Sequence, residues 1–466
     1  MAVFGSTAAQ GLTVRCRGQA GMLIAALLLA LGFSAAPTAR AQGAEWWEQI
    51  PGFGGQPSSS SRRRTGEDRA KAASTQFEDL RPNATPWLSE ETIGAIDGAI
   101  ERYQRIVERG GWPSVPRGRT IRPGDDDERL PLVKKRLRAS GELGRSDDYF
   151  ETLTLDDRVE QAVRRYQSSN GLRVTGRVDR ATIDAMNVSA ADRLHQLQRN
   201  RERIIALMQP RTEERYVLVN VPSFELEAVE RYEVRQRHRV IVGREGRETP
   251  ELKGTIRAIN FFPYWRVPTS VATLDLIPRL RKEPDYLDKE GIRVYDGSYD
   301  GPEIPATQID WAMADQTRIR FKQDPGDRNA LGLVRLDMSN EHGVYMHDTP
   351  MKNLFDQRGR AFSAGCVRVQ GVMDLAEWIA QGEQGWEQPG QVRAVLDAGQ
   401  ATDLQLTRPV PVIFAYITAW AETNGDIQFR PDLYGRDGSS ARVAGNAAPG
   451  EGDPDAPPPP PNGIAP

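Results

Sequence analysis

At 466 residues the chain has room for roughly three ordinary domains. Charged residues make up 27% and hydrophobic ones 39%, which excludes wholesale disorder, and a formal net charge of −3 argues against a nucleic-acid binder, which would carry a basic excess. Two cysteines exclude both a disulfide scaffold and a cysteine-rich zinc site.

The N-terminus carries Arg15 and Arg17, then an uncharged run from Gly18 to Ala39 whose apolar heart is Met22 to Phe33. Ala39-Arg40-Ala41 offers small residues at the two positions a signal peptidase reads. Residues 1–41 therefore read as a secretory signal peptide; the alternative is an uncleaved anchor, for which the run is barely long enough. Cys16 precedes the apolar run and would leave with the signal, so Cys366 would be the single thiol of the exported chain. Residues 42–75, rich in Gly, Ser and Arg, read as a flexible linker.

Ile93, Ile96, Ile100, Tyr103 and Val107 recur in steps of three and four, which predicts an amphipathic helix stopped by Gly110-Gly111. Leu194, Leu197, Ile204 and Met208 predict another before Pro210. Both belong to a helical scaffold at 76–127 and 188–213. Between them a compact module at 128–187 holds three short helical patterns: Leu132, Val133 and Leu137; Val159, Val163 and Tyr166, with Asp156 or Asp157 as cap; and Thr182, Ile183 and Met186. From 214 the texture turns β: Tyr216 to Val221, Phe224 to Val229, Arg239 to Val242, Leu333 to Leu336, Val344 to Met346 and Val412 to Thr418 are short, β-branched and partly alternating. This mostly-β domain spans 214–421. A polar, charge-rich and partly helical insertion at 268–330 interrupts it and reads as a lid over a site. Residues 422–466, with the run Pro457 to Pro461, read as a disordered tail. The class is α+β and multidomain.

The chemistry concentrates between His342 and Arg368. A free thiol is only a few per cent ionised at neutral pH and needs a base or a positive environment to act as a nucleophile. His347 stands upstream of Cys366 at the end of a predicted strand, and the intervening loop can return the chain so that imidazole meets thiol. Arg368, two positions beyond the thiol, adds positive charge. Asp348 would point to the opposite face of the strand from His347, which argues against it as the orienting group. Ser363-Ala364-Gly365 keeps the approach to sulfur small, and main-chain N–H groups near Gly365 and Cys366 can point at a developing oxyanion. A helix predicted from Val372, Leu375, Ala376 and Ile379 would lower the thiol pKa further. His342 is the competing base. His195 and His238 read as surface residues, and Trp265 and Trp311 as core or lid packing. No residues have metal-ligand spacing and no phosphate loop is present, so neither metal nor cofactor is expected.

The run Val159 to Asn187 resembles the small three-helix peptidoglycan-binding domain, and the segment His342 to Arg368 resembles the signature of the YkuD-type L,D-transpeptidases, a histidine followed by Ser-His-Gly-Cys and an Arg or Asn two positions on. The resemblance implies Cys366 as nucleophile, His347 as base, Gly365, Arg368 and Ser363 at the remaining oxyanion or substrate-binding positions, and Tyr345 as the aromatic before the histidine. Ala364 replaces the usual histidine, a departure shared with the large periplasmic YcbB type, as are Asp348-Thr349-Pro350, the run Pro263 to Pro268 and the insertion. It further implies a periplasmic enzyme that forms 3→3 peptidoglycan cross-links between a tetrapeptide donor and a diamino acid amine. Three alternatives stand beside this: an L,D-carboxypeptidase using water, transfer to an outer-membrane protein amine, and a non-catalytic peptidoglycan tether.

Overall fold

The computed structural model describes residues 85–144, 152–208, 214–314 and 318–438. The expected signal peptide and linker, and the chain from 439 on, lie outside the described residues. Among the described residues no helix is long and apolar enough to cross a membrane.

Local signals set the helical half. Helix α1 (Glu90–Glu108) starts where the Ser89 hydroxyl accepts the Thr92 N–H at 3.1 Å. Helix α2 (Leu130–Ser140) stops at Gly141, whose φ of 99° is left-handed. Helix α3 (Asp157–Ser169) is capped by the Asp156 carboxylate, which accepts the N–H groups of Arg158 and Val159. Asp179 does the same at the start of α4 (Arg180–Met186), accepting from Thr182 N–H at 2.8 Å. Helices α2 to α4 close on one another through Leu130, Val133, Leu137, Val159, Val163, Tyr166, Ile183 and Met186, all buried. Each such side chain contributes roughly 1.5–3 kcal/mol on leaving water, so this module has its own core.

The β half is one sheet rolled on itself. Its strands are β1 (Arg215–Asn220), β2 (Glu225–Glu230), β3 (Glu233–Gly243), β4 (Leu252–Phe261), β9 (Val334–Met338), β10 (Met346–His347), β11 (Ala361–Ser363), β12 (Val367–Val369) and β13 (Thr402–Ala415). They run in the order β11-β3-β12-β10-β9-β4-β13-β1-β2, and β2 also pairs with β3 and closes the ring. Alternation divides the side chains. Val217 and Val219 of β1 and Val412 and Phe414 of β13 face an inner core that also takes Leu375, Ala376 and Ile379 of helix α6 (Val372–Ala380). Tyr216, Leu218, Ile413 and Ala415 face outward, against Ile96 and Tyr103 of α1 and Leu197 and Ile204 of α5 (Ala190–Met208).

The insertion is more β than its charged sequence suggests. It forms a separate sheet ordered β5-β8-β6-β7 that begins ahead of the expected boundary at 268, from β5 (Trp265–Arg266), β6 (Ile292–Asp296), β7 (Glu303–Ile304) and β8 (Ile319–Gln323). Short helical turns complete it around Trp265, Leu276, Ile277, Leu280, Leu287, Trp311 and Phe321. The domain also runs past 421, into the stretch read as tail. Strand β14 (Ala419–Ala421) pairs with β15 (Ile427–Phe429), and the Tyr434 hydroxyl donates to the Gly243 carbonyl at 2.6 Å. His238, expected at the surface, is buried, with Nδ1 2.9 Å from the Gln370 carbonyl and Nε2 2.9 Å from the Gln236 amide oxygen.

Candidate active site

Strand β10 is short but central. It pairs antiparallel with β9, placing His347 opposite Arg335, and parallel with β12, placing Met346 opposite Val367 and His347 opposite Arg368. Met346, Leu336 and Val367 enter the inner core. Alternation then turns Tyr345, His347 and Arg368 to the other face. Cys366 lies one residue before β12, where Val367 N–H donates to the Tyr345 carbonyl at 3.0 Å, and its side chain touches Tyr345 while also bordering the inner core. Extending that register by one step sets Cys366 opposite Tyr345, so His347 stands two positions farther along β10 than the residue facing the thiol.

The loop between them is pinned at several points. Leu354 and Phe355 pack on Ile241. The buried Arg360 guanidinium donates to the carbonyls of Val240, Gln357 and Phe224 at 3.1, 3.0 and 2.9 Å. Gly365 has φ +121°, a conformation that a side chain would strain. The Ser363 hydroxyl donates to the Cys366 carbonyl at 2.6 Å and accepts the Gly365 N–H at 3.2 Å. In this arrangement the Gly365 N–H, expected to face an oxyanion, is turned into the loop, and Ser363 shapes the turn. Asp348 accepts from Leu333 N–H at 3.1 Å and pairs with Lys352, away from the His347 ring. His342 is exposed and lies beside Glu341. His195 is exposed as well.

Burial dominates the electrostatics. Cys366 is 7% exposed, His347 0% and Arg368 1%, and their neighbours Tyr345 and Ala364 pack against the insertion's core. Burial pushes the Cys366 thiol up to about 11, against smaller opposing effects of the Tyr345 main chain and hydroxyl and of Arg368 and Arg335. Burial also drives His347 down to about 3, and the Arg368 charge lowers it further. The helix expected to acidify the thiol begins only at Val372, beyond β12, and does not offset desolvation. At neutral pH the site therefore holds a neutral thiol and a neutral imidazole. Neither ring nitrogen has a hydrogen-bond partner of good geometry, and the main chain of Asp348 and Leu331 gives only weak support. Tyr345 and His347 meet edge to face with centroids 5.6 Å apart. A neutral imidazole can accept a thiol proton while sulfur attacks a carbonyl.

Several neighbours escaped sequence reasoning. Arg335 lies over the Tyr345 ring at 5.4 Å and donates to Asn260 and Asp337, both at 3.0 Å. Thr249 bridges Gly243 N–H (2.8 Å) and the Gly365 carbonyl (2.9 Å), tying the loop after β3 to the turn before the thiol. Only the glycine-bracketed Gly243-Arg-Glu-Gly246 hinted at a turn there. Among the described residues no group of three or more His, Cys, Asp and Glu side chains is arranged to hold a metal ion.

Residues 214–393 match the family model of the YkuD L,D-transpeptidase catalytic domain, and residues 126–186 match that of a "Putative peptidoglycan binding domain". A Haemophilus influenzae protein described as "Putative L,D-transpeptidase" is 33% identical over 222 residues, taking in 47% of this chain and 44% of the relative, so the chain spans less than half of that protein's length. Among solved structures, an L,D-transpeptidase from Stackebrandtia nassauensis overlaps 65% of this chain and 96% of its own at 12% identity and a TM-score of 0.24. One from Mycobacterium smegmatis overlaps 43% and 58% at 12% identity and a TM-score of 0.22.

Proposed function

We propose, for a chain that carries a YkuD-type L,D-transpeptidase catalytic domain and a peptidoglycan-binding domain, that it is an exported peptidoglycan L,D-transpeptidase working through a thioester on Cys366. The observation that carries this is the β10–β12 pairing, which sets His347 and Arg368 side by side, with Cys366 just ahead of β12 and its neighbours Tyr345 and Ala364 against the insertion's core.

The Cys366 sulfur attacks the carbonyl that joins the diamino acid at position three of a stem tetrapeptide to its terminal D-Ala. The thiol proton passes to His347 and then to the departing amine. The carbon–nitrogen bond breaks, D-Ala leaves and the stem remains as a thioester. A diamino acid amine of a neighbouring stem, deprotonated by His347, attacks that thioester. The product is a 3→3 cross-link and the thiol is restored. A site closed from water favours the amine over hydrolysis. The helical module would hold the strand of wall being joined, and the chain would act in the periplasm.

The test is intact-mass measurement of the protein after incubation with tetrapeptide donor, with and without an amine acceptor. An adduct equal to the donor minus D-Ala, discharged as a dimer when the amine is present and absent from Cys366→Ala, is the expected result. A Cys366→Ala protein that still makes dimers would refute the mechanism. Binding to sacculi without any adduct would identify a tether, and an adduct that discharges only to water an L,D-carboxypeptidase.

A further inference from the structure

Two arginines that the reaction above does not use stand at the edge of the site. Arg244 and Arg247 follow β3, and the Arg244 N–H donates to the Ser363 carbonyl at 3.0 Å, within the turn that carries Cys366. A Cβ placed on Gly365 would lie 3.9 Å from the Arg247 carbonyl. Both guanidinium groups converge on one acid: Arg244 reaches Asp275 at 3.2 Å, and Arg247 pairs with the other oxygen of the same carboxylate.

Asp275 does not belong to the barrel. It lies on the insertion, in the single wide helical turn Ala272–Leu276, a π-type geometry that recurs at functional positions. A third guanidinium stands nearby. Arg368 is 1% exposed, its Nε and one terminal nitrogen lack partners, and its other terminal nitrogen meets only the Met351 sulfur at 3.9 Å. Arg244 is close enough to Arg368 to disfavour its charge. Two cations thus share one carboxylate while a third, Arg368, lies close to Arg244 with no acid on it among the described residues, and a buried guanidinium with open nitrogens is costly until an anion reaches it. Guanidinium forks recognise carboxylates in particular, because the two planar groups match through paired hydrogen bonds.

We infer that Arg244 and Arg247 are a carboxylate-recognition station for the acyl donor, and that Asp275 of the insertion occupies it in place of the donor's own carboxylate. A donor bearing a free carboxylate beside the reacting carbonyl takes the arginines from Asp275. One anion replaces another, so the charge of the site is conserved while the insertion is released from the barrel. A neutral or amidated donor leaves Asp275 seated. The station selects acidic donors and couples their arrival to opening of the insertion. It rests on the reading of Cys366 as the acylated atom.

The test needs no transpeptidation. Iodoacetate and iodoacetamide alkylate thiols by the same displacement of iodide and differ in carrying a carboxylate or a neutral amide. Their rates at Cys366 are read on the full chain by peptide mass spectrometry, and the ratio of the two is the observable. Replacing both arginines, as R244Q/R247Q, is expected to lower the iodoacetate-to-iodoacetamide ratio about tenfold, the equivalent of one lost charge-assisted contact. Asp275→Asn is expected to raise it severalfold, and R244K/R247K to recover part of the loss. A variant that merely loosens the insertion speeds both reagents alike and leaves the ratio unchanged. A ratio unchanged within twofold in both R244Q/R247Q and Asp275→Asn overturns the station, even if the donor still forms its adduct. The expected shifts without any donor adduct would keep Arg244 and Arg247 as a carboxylate site but refute the transpeptidase reading and, with it, the acyl donor as the occupant.

Discussion

The thiol of Cys366 and the imidazole of His347 share one face of a strand pair in their uncharged forms, because burial penalises both ions. The site therefore holds no preformed thiolate, and ionisation of sulfur has to be coupled to its attack. With the thiol raised to about 11, iodoacetamide labelling of Cys366 should climb about tenfold per pH unit from pH 7 to 10 without levelling. A plateau near neutrality would mean an ion pair already formed. At this scale the chemistry was legible where it is contiguous: Ser363, Gly365, Cys366 and Arg368 form one short run, and His347 ends a strand with a recognisable pattern. Arg335, Thr249 and Arg244 were not, since each reaches the site through strand pairing or a loop contact that no local spacing encodes. His238 misled for the same reason. Its strand alternates, but the Gln370 carbonyl that covers it arrives from far along the chain.

Elements with a strong period were found, and those defined by their partners were not. Helix α1 and strands β1 and β2 carry their pattern locally. Strand β4, Leu252–Phe261, went unread because Gly254 and Arg257 break its alternation, although β9 and β13 flank it on both sides. Strands β11 and β12 are three residues each, too short for a period to register. One contact between elements has a measurable pH signature. Glu227 of β2 is fully buried, accepts the Trp87 N–H at 3.0 Å and lies 3.5 Å from Arg237, holding the entry to α1 against the barrel. Burial raises its carboxyl from 4.5 to about 7. The folded chain keeps this proton where the unfolded chain has shed it. The resulting stabilisation is complete below pH 4.5 and is lost as pH rises through about 7. Glu227→Gln should flatten that fall, worth on the order of 3 kcal/mol at most, in urea midpoints measured at pH 4.5 and 8.

Across the whole molecule, the helical module is docked on the loop that joins His347 to Cys366. Arg358 of that loop donates to the Gly171 carbonyl, and Arg430 donates to the Ser169 carbonyl at 3.3 Å. Buried Arg193 adds a bond to Asn170 at 3.0 Å. Gly171 has φ +63°, and a Cβ there would come within 2.8 Å of the Arg430 side chain. Gly171→Val should therefore cost about 1–3 kcal/mol at this seam. Hydrogen exchange should rise at 352–360 while β1 and β13 stay protected. Unchanged exchange in that loop would show that the module and the site do not communicate through this contact.

The path of β13 has a practical consequence. The catalytic-family match ends at residue 393, yet β13 lies between β1 and β4. A gene fragment trimmed to the matched boundary would encode a ring with one stave missing, its two exposed edges inviting association between copies. Expression boundaries drawn after Tyr434 would keep the ring whole and retain the hydroxyl that fastens Gly243.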